Sequence, residues 1–308
     1  MMNDVIVIER LRKVFTEEKR ETVAVDDISL QVRKGEVFSL VGPDGAGKTT
    51  MMRMLCGVLP PKSGSLTLLG LDYRKDRDEI KKHIGYLSQR FSLYGDLTID
   101  ENIDFFAEIH KVLEYGKRKE ELLQFTRLTP FRDRLAGRLS GGMKQKLALA
   151  CTLIHTPEII VLDEPTTGVD PVSRRDFWKI LSSLLKSGIT IVVSTPYLDE
   201  AERSTRVALM NEGKLLMCDT PEAVKSSFPH RVLEVVCSDV RKALEILQNY
   251  LPKSDLQLFG DRLHLLLPEG ASPDTFMQRL RENDVAVTDF RTIQPSLEDV
   301  FISRISST

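Results

Sequence analysis

No apolar run in the 308 residues approaches the roughly 18 needed to cross a bilayer, so the sequence predicts no membrane-spanning helix. Cysteine is scarce and unpaired. Cys56, Cys151, Cys218 and Cys237 lie far apart with no Cys-x-x-Cys pair, which excludes a disulfide framework and reads as reduced thiols in a cytosolic protein. Net charge is nearly absent: 43 basic against 45 acidic residues leave −2, so no global field argues for nucleic acid. Large basic stretches, low-complexity segments and internal repeats are also missing. The opening "MMNDVIVIERLRKVF" has charges within its apolar stretch and resembles no signal peptide. The expected compartment is the cytoplasm.

What is present suits one large or two modest domains, with 42% hydrophobic residues, enough for a full core, and 29% charged. The first 40 or so residues are strand-rich, ending in "EVFSLVG", short and continuously apolar as a strand buried on both faces should be. A helix follows at "KTTMMRMLCGVL", closed by Gly57 and Pro60-Pro61. Residues from about 90 to 155 read as amphipathic helices, after which strands resume at "EIIVLD", "TIVVST" and "RVALMNEGKLL". A strand–helix core interrupted by a helical insert is expected over residues 1–220. From 221 to 308 the order becomes strand, helix, two strands about Gly260-Asp261, helix and strand, the βαββαβ pattern of a small ferredoxin-like α+β domain. A last helical piece, "SLEDVFISRIS", follows.

Two stretches carry chemistry. "GPDGAGKTT", residues 42–50, matches G-x-x-x-x-G-K-[ST] between a strand and a helix, the phosphate-loop context. Gly42, Gly45 and Gly47 let the backbone curl, with Pro43, Asp44, Ala46 and Thr50 completing the loop, so that N–H groups face phosphate at a helix N-terminus. Lys48 reaches for the β- and γ-phosphates, and Thr49 offers its hydroxyl to Mg²⁺. "IIVLDE" supplies Asp163, a ligand of Mg²⁺ directly or through water, and Glu164, which orients or deprotonates the attacking water. An Asp-Glu pair by itself is common at strand ends; with a phosphate loop in the same sheet it predicts a nucleotide hydrolase of the α/β P-loop class.

Further stretches carry a resemblance. "LSGGMKQKLALA" (139–150) resembles the signature loop of ATP-binding cassette (ABC) proteins, "YLSQ" ending at Gln89 its Q-loop, and "TTGVDP" (166–171) its D-loop. They occur in order over residues 5 to about 220, some two thirds of the chain. The resemblance implies an ABC cassette with an N-terminal antiparallel β-subdomain and a helical insert. It implies a head-to-tail dimer holding two ATP molecules, each site using one subunit's phosphate loop and the other's signature loop. Ser140, Gly141 and Gly142 suit this, exposing a hydroxyl and N–H groups just before a helix. Phe15 is the expected adenine-stacking aromatic. Gln89 is expected to link Mg²⁺ or the attacking water to the insert, where a membrane partner would push. The tail after Pro221, with "PSLEDVF", resembles the C-terminal extension of bacterial ABC drug-resistance exporters.

One position departs from the pattern. After "ST" the family usually places a histidine on the γ-phosphate; here it is Pro196, expected near the first turn of the helix carrying "YLDEAE", with Ser194 or Thr195 as cap. A weakened but live ATP site is therefore expected, in an unequal pair. The partner cassette is another chain, a second copy, or a second half fused after the polar ending "SRISST". The chain is expected at the inner face of the cell membrane, held peripherally by permease subunits, with no nucleic acid. The competing class, a soluble ABC ATPase of ribosomes or DNA, lacks its usual basic stretches, coiled-coil insertions or zinc-type cysteine clusters here.

Overall fold

The computed structural model describes residues 4–17, 20–89, 93–268 and 270–306. The chain divides into two compact units, Met1–Asp219 and Thr220–Thr308.

In the first unit the long strands β1 (Asp4–Glu17) and β2 (Arg20–Arg33) pair antiparallel, and β3 (Val37–Val41), buried at every residue, leads through the glycine loop into helix α1 (Lys48–Leu55). Four elements of residues 62–87 escaped the sequence reading: β4 (Ser63–Leu68), β5 (Leu71–Asp72), α2 (Arg77–His83) and β6 (Ile84–Leu87). They are short, so no period stands out. The insert is helical, with α3 (Ile99–Ile109), α4 (Gly116–Thr126) and α5 (Gly141–Leu153). Thr98 and Glu101 start α3 with a capping box: the Thr98 Oγ1 accepts the Glu101 N–H at 3.2 Å, and Glu101 Oε2 accepts the Thr98 N–H at 2.7 Å. Then come β7 (Ile159–Asp163), α6 (Pro171–Lys186), β8 (Thr190–Thr195), the single turn α7 (Leu198–Ala201), β9 (Arg206–Asn211) and β10 (Lys214–Asp219). Asp170 caps α6 and Pro171 opens it, the residue pair that favours a helix start.

Two sheets result. One is antiparallel, ordered β2-β1-β4-β5; the other is ordered β10-β9-β3-β8-β7-β6, with β9-β3-β8-β7-β6 parallel throughout. Phe38, Leu40, Val161 and Val192 face a core shared with α1 and the antiparallel sheet, while Leu162, Ile191 and Val193 face the insert and α6. Burial on both faces explains the unbroken apolar runs. Register does the rest: Val41 lies beside Thr195 and Asp163 beside Ser194, so the loop after β3 and the ends of β7 and β8 meet at one edge. Open α/β sheets bind ligands at such carboxyl ends.

The second unit begins with α8 (Pro221–Ser226), followed by β11 (Arg231–Cys237), α9 (Val240–Leu247), β12 (Leu256–Phe259), β13 (Arg262–Leu267), α10 (Pro273–Glu282), β14 (Val287–Ile293) and α11 (Leu297–Ser306). Its antiparallel sheet has the order β12-β13-β11-β14, that of a ferredoxin-like fold. Leu233, Val235, Leu263 and Leu265 pack on α9 and α10. All four cysteines are free thiols. Among the described residues no helix is long and apolar enough to cross a membrane.

Candidate functional site

The loop of residues 42–50 has the backbone its glycines allow. Gly45 and Gly47 have φ of 82° and 97°, and side chains at Gly42 and Gly47 would strike the carbonyls of Met210 and Ala24. Pro43 and Asp44 are exposed, Ala46 is buried with its N–H on the Pro43 carbonyl (3.2 Å), and Thr50 is half-buried in α1. Gly47 sits at the N-cap of α1 and offers no side-chain cap, so the first N–H groups of α1 are left to a ligand.

Lys48 is 3% exposed. Its ammonium donates to the carbonyls of Gly42 (2.8 Å) and Pro43 (3.0 Å) and lies 3.2 Å from Glu164 Oε1. The other carboxylate oxygen of Glu164 accepts from Gln89 Nε2 at 2.9 Å. Glu164 stands at φ 46°, a backbone that a non-glycine residue keeps only when its surroundings impose it. Part of that imposition is Ser194, whose Oγ accepts the Glu164 N–H (2.9 Å) and donates to Asp163 Oδ1 (2.7 Å). Thr49 donates to the same oxygen at 3.1 Å. Asp163 Oδ2 is buried with no hydrogen-bond partner. Burial pushes the Asp163 carboxyl up, against the pull of the Ser194 and Thr49 hydroxyls. A bare carboxylate oxygen beside a threonine hydroxyl is the hard donor set that Mg²⁺ prefers, so these residues fit the ion.

Loop, lysine, two carboxylates and glutamine form one cluster on the ends of neighbouring strands. Comparison with known proteins gives it a family. Residues 25–167 match the family described as ABC transporter, and residues 220–305 match the family described as ATP-binding protein DrrA1-3-like, C-terminal domain. The daunorubicin resistance ATP-binding protein DrrA2 of Streptomyces coeruleorubidus is 33% identical over 295 residues, 92% of each chain. The chain belongs to the ATP-binding proteins of ABC transporters. The probable multidrug ABC transporter ATP-binding protein YbhF of Escherichia coli (strain K12) is 42% identical over 306 residues, 98% of this chain but 52% of that protein, so the chain spans about half the length of that relative. Among solved structures, the dimeric post-hydrolysis state of the cassette MJ0796, bound to ADP and phosphate, has a TM-score of 0.64 and 26% identity over 70% of this chain and 98% of its own.

The remaining predicted site residues of the cassette lie apart from this cluster. Ser140 caps α5, its Oγ accepting the Met143 N–H at 3.3 Å. Gly141 is exposed, and Gly142 is buried against Ser173. Phe15, 37% exposed, is on β1 opposite Thr22 with the Lys13 ammonium 5.3 Å from its ring centroid; it is no core residue. Ala24, two residues beyond Thr22 on β2, touches Gly47.

The expectation for Pro196 needs correcting in one respect. Helix α7 begins at Leu198 with Tyr197 as its uncapped N-cap, so Pro196 precedes the helix. Neither hydroxyl caps α7. Ser194 is taken by Asp163 and Glu164, and Thr195 Oγ1 accepts the Tyr197 N–H (3.0 Å) in a tight turn. Sequence reasoning named Ser194 only as a cap and missed its part in holding both carboxylates. The signal was there, a serine ending the strand next to "IIVLDE", but strand order is needed to use it. Buried Thr166, Gln145 and Glu200 were missed in the same way.

Proposed function

We propose that this chain binds ATP with Mg²⁺ and hydrolyses it to energise export of a small molecule, a drug or other amphiphile, through a separate membrane permease. The observation that carries the hydrolytic reading is the convergence of Lys48, Gln89, Asp163 and Glu164. The export reading follows the names of the relatives, multidrug and daunorubicin resistance proteins.

In this mechanism the loop N–H groups take the phosphates, and Lys48 leaves the Gly42 and Pro43 carbonyls for the β- and γ-phosphates. That exchange frees Glu164, which accepts the proton of the attacking water while Gln89 orients it. Thr49 and Asp163 hold Mg²⁺, which when bound neutralises charge on the phosphoryl oxygens. Phe15 stacks on adenine. Ser140, Gly141 and Gly142 face the γ-phosphate of a second cassette in a head-to-tail dimer, whether a separate chain, a copy of this one or a fused second half. Pro196 supplies no donor. A missing hydrogen bond to a charged group is worth about 1.5–3 kcal/mol. The chain's own site is therefore roughly tenfold to hundredfold slower than one with histidine there.

The test has two arms. Purified chain should hydrolyse Mg²⁺-ATP with a rate per molecule that rises with protein concentration, and Glu164→Gln should abolish it. From membranes, the tagged chain should co-purify with a polytopic protein. Recovery with ribosomes or DNA at moderate salt, and no membrane protein, would overturn the exporter reading.

A further inference from the structure

Behind the catalytic carboxylates lies a third one that the mechanism above does not use. Glu200, on α7, is 1% exposed. Its Oε2 accepts from the hydroxyls of Thr166 (2.8 Å) and Thr195 (3.0 Å), and its Oε1 lies 3.3 Å from Arg174 Nε. The Arg174 guanidinium in turn lies 4.2 Å over the ring of Tyr197. Burial pushes the Glu200 carboxyl up, while the two hydroxyls and Arg174 pull it back. Oε2 is satisfied by the two hydroxyls, while Oε1 and Arg174 Nε face each other as an ion pair without a hydrogen bond; a carboxylate at this depth is costly without such partners.

Those partners come from different segments. Thr195 is the last residue of β8, next to Pro196 and in register with Val41 at the head of the phosphate loop. Thr166 belongs to the loop between β7 and α6, and Arg174 to the first turns of α6. The same loop meets the head of α5. Gln145 donates to the Pro165 carbonyl, Gly142 faces Ser173, and a side chain at Gly141 would come within 4.0 Å of the Gly168 carbonyl. A path of contacts thus runs from the end of β8, through Glu200, to Gly142 and Gln145 in the first half of α5.

We propose that Glu200 is a positioning residue, which fixes the loop 165–170, and with it the head of α5, to the phosphate end of β8. This inference rests on the proposed function, in which that head completes the ATP site of a second cassette. The side chain of Pro196 cannot hydrogen-bond, so Thr195 provides the hydroxyl that ties this strand end to the loop. Glu200 acts through Thr166 and Thr195 and touches no reacting atom. Losing it should therefore slow turnover in the assembled pair while sparing the chain's own affinity for ATP.

Thr166→Val keeps the shape of the side chain and removes its hydroxyl; Thr166→Ser keeps the hydroxyl. Steady-state Mg²⁺-ATPase kinetics should show kcat falling about tenfold in Thr166→Val with KM for ATP within about twofold of the parent, and Thr166→Ser restoring kcat to within about twofold. A parental kcat in Thr166→Val, or a Thr166→Ser variant as slow as Thr166→Val, overturns the inference. Should Thr166→Val not fold, Arg174→Met is read by the same criteria, with Arg174→Lys as its conservative partner. Glu164→Gln separates the two levels. If that variant hydrolyses at the parental rate, the proposed function fails. If it is inactive while Thr166→Val keeps the parental rate, only the role of Glu200 fails.

Discussion

The Lys48 ammonium lies 3.2 Å from Glu164 Oε1, and both side chains are almost wholly buried. The residue expected to hold phosphate and the residue expected to activate water thus neutralise each other. In the proposed mechanism a γ-phosphate entering the loop would compete for this lysine, so that nucleotide entry and release of the carboxylate would be one event.

This pairing predicts a stability effect separate from activity. Breaking a buried ion pair from one side strands a charge and costs about 3–5 kcal/mol. Lys48→Met should accordingly lower the unfolding free energy by about 3 kcal/mol, part of the cost being relieved by Gln89, which keeps its bond to Glu164. Adding Glu164→Gln should recover some of that loss. Chemical denaturation of the single and double variants measures the coupling, and strict additivity would show that the pair contributes nothing.

Pro196→His should raise the ATPase rate about tenfold or more. Pro196 is half-buried and precedes α7, so a histidine there disturbs no helix. An unchanged rate, with the parent already active, would mean that another group supplies the donor and would remove the support for an unequal pair.

Gly142→Ala should disturb the head of α5 because its new methyl would strike the Ser173 Oγ. Overpacking of this kind costs about 1–3 kcal/mol. Thermal unfolding should show the loss, and Ser173→Gly in the same chain should restore most of it by clearing the contact. Gly141→Ala, which meets only the Gly168 carbonyl at 4.0 Å, should be far milder.

A pH effect is expected from the insert. The rings of His110 and His155 stack with centroids 4.0 Å apart and planes 7° from parallel. His155 Nε2 is 3.1 Å from the Ile84 carbonyl and so carries the proton of the neutral ring, while its Nδ1 is buried without a partner. Burial first, then His110, pushes the His155 pKa down from 6.5 to about 4. Between those values the unfolded chain binds more protons, so the contribution is full above about 6.5 and is lost as the pH falls towards 4. Burial lowers His110 as well, with the same sign. Melting temperatures across that range should fall less steeply in His155→Leu than in the parent.

Much of this was legible in the residues. Strands β3, β7 and β8 are buried on both faces and read as unbroken apolar runs, and the loop of residues 42–50 carries glycines where φ is positive. The short pieces between Ser63 and Leu87 carry little periodic signal because each strand there has only two to six residues. Helix α6, amphipathic behind its Asp170-Pro171 start, was overlooked despite a legible cap.

By itself the sequence determined the chemistry on offer: a phosphate loop, a lysine, a threonine and two adjacent carboxylates, each readable because its role depends on local backbone and residue type. Only the tertiary structure decided how these are shared. That Ser194 holds both Asp163 and Glu164, that Gln89 and Lys48 divide one carboxylate, and that Glu200 ties β8 to the loop after β7 all follow from the strand order β3-β8-β7-β6. Hydrogen bonds act over about 3 Å, and residues 31, 75, 116 and 34 positions apart come within that reach only when the sheet sets their strands side by side.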